Sequence, residues 1–182
     1  MDNSPTQNIG DIAIDWQQGT IWVGTGESNS SRSSYPGIGI LKSTDKGKTW
    51  QHVGLSDSQH IGRIIINKNN PEEVIIGVVG HLYSKNKQRG IYKTTDGGKT
   101  WKNTLFINET TGIIDISASP KNPNILFAAS WERLRKAWDF DGDGSGSAIY
   151  KSIDAGATWT KLTTKGKGFP IGQGVGRIGL AA

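Results

Sequence analysis

The chain has 182 residues, a mass of 19.6 kDa, a formal charge of +5 at neutral pH and no cysteine. That length predicts one domain, roughly 100–200 residues being usual, and the missing thiols exclude disulfide scaffolds, thiolate metal sites and cysteine nucleophiles. No apolar run reaches the roughly 18–20 residues of a membrane helix, so no membrane span is expected, and residues 1–5 lack the basic start and apolar core of a signal peptide. The lysines stand scattered beside turns, as at Lys42, Lys46, Lys93, Lys99 and Lys151, which predicts solvated hairpin edges and no nucleic-acid partner.

Short segments rich in β-branched and aromatic residues, bounded by Gly, Pro and Asn, recur along the chain and predict strands. The first pair is 11–16 and 20–24, turning at Gln17-Gln18-Gly19; a third strand at 39–42 runs into Ser43-Thr44-Asp45-Lys46-Gly47-Lys48-Thr49-Trp50. The order then repeats. Strands at 63–67 and 73–79, joined through Asn70-Pro71, precede 90–93 and Thr94-Thr95-Asp96-Gly97-Gly98-Lys99-Thr100-Trp101. Strands at 112–118 and 124–129, joined through Asn122-Pro123, precede 148–151 and Ser152-Ile153-Asp154-Ala155-Gly156-Ala157-Thr158-Trp159. A fourth strand opens at each Trp, and nowhere does a 3.6-residue apolar period run for three turns.

The three aspartates are 51 and 58 residues apart. Four strands per unit at a period near 50 predict an all-β fold, an arc of a β-propeller built from four-stranded antiparallel blades. The blades are expected at 11–54, 62–106 and 112–163, with the inner strand of another at 176–182. Closed propellers have about 4–8 blades, so the remaining blades of a larger propeller are expected partners. A β-sandwich has no reason for such long-range identity.

In each octapeptide an Asp after Ser/Thr predicts side-chain acceptance of amides two residues on, and Gly at the fifth place permits positive φ. The structural set is Ser43, Asp45, Gly47, Thr49 and Trp50; Thr94, Asp96, Gly98, Thr100 and Trp101; Ser152, Asp154, Gly156, Thr158 and Trp159. Their Trp rings are expected to be mostly buried near the blade periphery. The octapeptide resembles the Asp-box, or BNR repeat, Ser-x-Asp-x-Gly-x-Thr-Trp. With Ile21-Trp22-Val23-Gly24-Thr25-Gly26-Glu27, Gln59-His60-Ile61-Gly62-Arg63, Gly80-His81-Leu82-Tyr83 and Gly176-Arg177-Ile178, the chain resembles bacterial sortilin-like proteins of the glycosyl hydrolase BNR-repeat type. The resemblance implies that the box is structural and faces away from the ligand site, and that the full-length protein is secreted or periplasmic.

On that view the upper face carries the loops 25–37, 80–89 and 130–147 and the interblade connections 55–62, 106–112 and 163–176. Long loops on a rigid scaffold commonly bind ligands. Aligning the inner strands on Gly10, Gly62, Gly112 and Gly176 places Asp11, Arg63, Ile113 and Arg177 at equivalent positions near the channel mouth. Two arginines there suit a carboxylate or sulfate, while an Asp11–Arg63 ion pair is the structural alternative. The Arg-Ile-Pro signature of sialidases is absent, since the chain has Arg63-Ile64-Ile65 and Arg177-Ile178-Gly179.

Candidate ligand contacts are Trp131, Arg133, Trp138 and Asp139 on the third loop, surrounded by Glu27, Arg63, His81 and Arg177. Flat rings among polar neighbours suit stacking on a sugar or an aromatic side chain. The carboxylates Glu27, Asp57, Glu109, Asp115, Glu132 and Asp139 supply acids for glycoside hydrolysis, but no pattern selects the required pair. Asp139, Asp141 and Asp143, followed by Gly144, match the first positions of a calcium loop; Tyr150 stands where that loop needs a bidentate Glu, and a Gly/Asp turn is the alternative. No other cofactor is indicated. The leading expectation is a module that binds a carbohydrate or peptide ligand through its upper face; the rival is a glycoside hydrolase other than a sialidase, with acids partly outside this chain.

Overall fold

The computed structural model describes Ser4 and residues 6–181. Its elements in chain order are β1 (Ile9–Asp15), β2 (Thr20–Thr25), β3 (Ile40–Ser43), β4 (Gln51–His52), a 3-10 turn at Ser56–Ser58, β5 (Ile61–Ile66), β6 (Val74–Val78), β7 (Gly90–Thr94) and β8 (Lys102–Leu105). They continue with β9 (Thr111–Ala118), β10 (Leu126–Glu132), β11 (Leu134–Arg135), β12 (Phe140–Asp141), β13 (Ala148–Ser152) and β14 (Thr160–Lys161). The sheets are β1-β2-β3-β4, β5-β6-β7-β8 and β9-β10-β13-β14, each antiparallel, with β11-β12 a separate hairpin inside the third long loop. Among the described residues no helix is long and apolar enough to cross a membrane.

The core lies between the sheets. Trp22, Ile40 and Leu55 of the first pack on Ile61, Ile64, Val74 and Ile76 of the second. Ile75 and Ile91 of the second pack on Ile113, Ile116, Leu126 and Tyr150 of the third. Burying each such side chain contributes about 1.5–3 kcal/mol, so these faces hold the blades in order. Glycine is obligatory where the sheets approach: a Cβ on Gly24 would lie 2.3 Å from Ile61 Cγ2, and one on Gly77 would lie 2.9 Å from Ile113 Cγ2.

Each octapeptide closes the hairpin between the third and fourth strands, but by a different bond from the one expected. The carboxylate reaches four residues on, not two: Thr49, Thr100 and Thr158 each donate their amide to the Asp at 2.9 Å and their hydroxyl to its second oxygen. The Ser/Thr hydroxyl in turn accepts the amide of Gly47, Gly98 or Gly156. These donors hold Asp45 and Asp154 at a pKa of about 2, the Thr49 and Thr158 hydroxyls contributing most, and lower Asp96 likewise. Both oxygens of each box carboxylate are thus engaged by its own turn.

The box tryptophans are half-buried, less than expected, and two of them are interblade struts. Trp101 Nε1 donates to the Val53 carbonyl of the first blade at 2.7 Å, and Trp159 Nε1 to Thr104 Oγ1 of the second at 3.2 Å. Trp50 has no described blade before it and donates to its own Gly47 carbonyl.

Two register expectations are corrected. The bulged residues of the inner strands are Gly10, Gly62 and Ile114, so the residues in equivalent places are Asp11, Arg63 and Asp115, opposite Gly24, Gly77 and Ala129. Gly112 is a glycine for another reason: a Cβ there would lie 2.1 Å from the Val79 carbonyl oxygen. The segment 176–180 forms no strand, since it has no described partner to ladder with, yet it is seated. The Leu180 amide donates to Asp115 Oδ2 at 2.9 Å, as the Ile64 amide does to Asp11 Oδ2 at 2.7 Å. Gly179, not Arg177, therefore matches Arg63.

Candidate functional site

The long loops cross between blades and are tied by side chains buried beneath them. Arg89, just before β7, is fully buried and spends every guanidinium direction on one task. It donates to Asn86 Oδ1 at 2.9 Å and to the carbonyls of Val79 (2.8 Å), Thr110 (3.1 Å), His81 (2.5 Å) and Ser84 (3.1 Å). Arg133 is equally buried and bridges blades, donating to the Ser30 hydroxyl and to the Gly80 carbonyl at 3.0 Å. Arg135 grips the Ser30 carbonyl through Nε and Nη2. Burial lowers Arg89 to about 10 and Arg133 to about 9, the nearby Arg89 charge adding to the effect at Arg133.

The sequence-derived candidates divide accordingly. Trp131 is 5% exposed, its indole N–H held by the Gly142 carbonyl at 2.7 Å, with Arg133 and Arg177 against its ring and Phe140 edge-on. Trp131 and Arg133 thus pin the third loop and offer no surface to a ligand. Arg63 lies between two carboxylates, 2.9 Å from Asp115 and 3.7 Å from Asp11, an ion-pair chain along the inner strands. Burial nevertheless raises the Asp11 pKa on balance, against the Ile64 amide and Arg63.

His81 bonds Asp57 Oδ1 and Ser84 Oγ, each at 2.8 Å, joining the 55–60 connection to the second loop. Glu27 is half-buried in the first loop, its amide donating to the Tyr35 carbonyl. Asp139 caps the Phe140 amide at 2.8 Å, and Asp143 accepts the Gly174 amide. Among the described residues no three His, Asp or Glu side chains converge as metal ligands. Asp139 stands just before β12, Asp141 ends it and Asp143 follows it.

Trp138 is 82% exposed at the tip of the third loop. Sequence reasoning missed two companions: Tyr35, 59% exposed, and Tyr83, 55% exposed, whose hydroxyl donates to the Arg32 carbonyl of the first loop at 2.8 Å. A polar cleft of about 710 Å³ in the third loop is lined by Thr110, Glu132, Asp141, Asp143 and Gln173. Glu132 is held there by the Gly146 amide at 2.8 Å and the Thr110 hydroxyl. A larger groove, about 810 Å³ and mostly apolar, lies at the opposite end of the inner strands among Ile14, Trp16, Ile64, Ile66, Pro120 and Leu126.

His60 is buried, and burial, with the charge of Arg133 next in size, lowers its pKa to about 4. The unfolded chain, with an ordinary value near 6.5, then binds one more proton between about pH 4 and 6.5. Stability should rise with pH across that window, by up to about 3 kcal/mol. Urea unfolding at a series of pH values checks this: the His60→Gln variant should lose the slope between pH 4 and 6.5. It should keep the acid limb below about pH 4, which comes from the box aspartates.

Fold and site together define a β-propeller module of four-stranded blades whose upper face is a layer of cross-braced loops. Residues 39–174 match Sortilin-Vps10 (sortilin, neurotensin receptor 3), and the chain belongs to that family. A curated xyloglucanase from Paenibacillus sp is 28% identical over 155 residues, covering 75% of this chain and 14% of that protein. A sialidase from Bacteroides fragilis (strain YCH46) is 24% identical over 197 residues, covering 89% of this chain and 32% of its own. The chain thus spans between about a seventh and a third of these relatives. Among solved structures, an ancestral GH74 enzyme superposes with a TM-score of 0.61 at 19% identity, over 85% of this chain and 18% of the other. The GH74 enzyme of Niastella koreensis gives 0.59 at 24%, over 89% and 22%. At these identities the structures establish the fold.

Proposed function

We propose that this chain is a glycan-binding part of a larger propeller, taking its ligand on the upper face across Tyr35, Tyr83 and Trp138. The observation that carries this reading is three exposed rings on the long loops that Arg89, Arg133 and Arg135 cross-brace from beneath. Exposed flat rings match a sugar's C–H faces, and the carboxylates and amides of the same loops match its hydroxyls. The relative named xyloglucanase makes xyloglucan oligosaccharides the first probe, and a secreted or periplasmic full-length protein fits a polysaccharide ligand.

In calorimetric titration Trp138→Ala and Tyr83→Ala are each expected to weaken oligosaccharide binding about tenfold, or ~1.4 kcal/mol. Trp138→Ala should leave the unfolding midpoint unchanged, since its ring is exposed. Full affinity in both variants across glycan and peptide panels would remove the reading. A hydrolytic second reading rests on Glu132, Asp141 and Asp143 in the cleft. Release of reducing ends from xyloglucan, abolished by Glu132→Gln, would favour it over binding alone.

A further inference from the structure

Asp57, His81 and Ser84 meet in an arrangement that glycan binding does not use. Ser84 Oγ lies 2.8 Å from His81 Nδ1, and Asp57 Oδ1 lies 2.8 Å from His81 Nε2. The Asp57 carbonyl oxygen is also 3.0 Å from Nε2. A carbonyl oxygen can only accept, so Nε2 carries the proton of the neutral imidazole, and Nδ1 keeps a lone pair that accepts the Ser84 hydroxyl. A hydroxyl, a base within reach of its proton and a carboxylate that fixes the tautomer of that base are the parts of an activated serine nucleophile.

The loop beneath holds these parts in place. One nitrogen of the buried Arg89, Nη2, donates to the carbonyls of both His81 and Ser84, at 2.5 and 3.1 Å, so base and nucleophile share an anchor. Asn86, also buried, accepts the His81 amide on Oδ1 and donates from Nδ2 to the Asp57 carbonyl, each at 3.1 Å, which ties the 55–60 connection to the ring. Ser84 itself is exposed. The Ser84 and Lys85 amides donate to no acceptor among the described residues, which leaves two N–H groups next to the hydroxyl for a developing oxyanion. Tyr83, whose ring is exposed, immediately precedes the serine.

From this geometry we infer that Ser84 is the nucleophile of an esterase site, with His81 as its general base and Asp57 as the positioning residue, and that the substrate is an O-acyl ester of a glycan. Ser84 Oγ bonds to the ester carbonyl carbon as its proton passes to His81 Nδ1. The bond from that carbon to the sugar oxygen breaks, and the oxygen leaves as a hydroxyl with the proton from Nδ1. Water then attacks the acyl-serine and gives a proton to Nδ1, which returns it to Oγ as the carboxylic acid departs. Ester and water become alcohol and acid, with no other reactant. The ester chemistry stands on the three side chains; the glycan as its alcohol rests on the binding reading above.

Hydrolysis of p-nitrophenyl acetate by the 182-residue chain measures the chemistry, and acetate release from O-acetylated xyloglucan measures the substrate class. Both should exceed the rate in solution and fall to it in Ser84→Ala, which removes only an exposed hydroxyl, and a fluorophosphonate should label Ser84 in the parent chain. Asp57→Asn should lower kcat about a hundredfold with KM unchanged, the split expected of a residue that acts through the base. Nitrophenyl acetate turnover no faster than in solution, turnover that survives Ser84→Ala, or labelling elsewhere than at Ser84 overturns the inference. Ser84-dependent turnover in a chain that binds no glycan upholds the esterase site and overturns the glycan as its substrate, together with the binding reading.

Discussion

Arg89→Met is expected to lower stability by about 4 kcal/mol, the largest effect of any single change outside the apolar core. Removal leaves the carbonyls of Val79, His81 and Ser84 without this donor, while Thr110 keeps the Arg133 amide and Asn86 Oδ1 keeps the His81 amide. Each unsatisfied group costs about 1–3 kcal/mol, offset in part by water entering and by no longer burying a cation. Urea unfolding measures the loss, and amide exchange should show the 80–89 loop released while β6 and β7 stay protected. An Arg89→Met protein as stable as the parent would mean that the loops are not held by this side chain.

Trp101→Ala should cost about 3 kcal/mol, because the ring packs edge-to-face on Trp22 at 6.2 Å and its N–H bonds the Val53 carbonyl of the neighbouring blade. Trp50→Ala removes the same residue type from the same motif but only a local bond to Gly47, and should cost about 1 kcal/mol. The contrast tests whether these rings stabilise blades or join them. Equal losses by denaturant unfolding would show that the turn, not the interblade strut, is what each Trp supports.

Strand positions, the four-strand blade and its period were legible because they rest on local chemistry. Alternation of β-branched residues sets strands, Asn-Pro and Gly set turns, and three octapeptides recur with the spacing their hydrogen bonds require. Asp45, Asp96 and Asp154 were read as turn residues, and their turns engage both carboxylate oxygens. Trp138 stood out in its loop by composition, and it is exposed.

Trp131 and Arg133 stood out by the same criterion and are buried, because composition does not say which way a loop residue points. That depends on Ser30 and Gly80, which are distant in the chain and close in space. Arg89 gave no signal at all: one cation in a polar stretch is unremarkable until five acceptors converge on it. The third and fourth inner strands were aligned on glycine, whereas the hydrogen-bond ladder places the bulge at Ile114, and only pairing against β10 decides that. By itself the sequence determined a blade, how many of them and where each turns. Tertiary structure decided which side chains meet between blades, because those contacts join residues about 50 to 100 positions apart and follow from packing distances that no local pattern encodes.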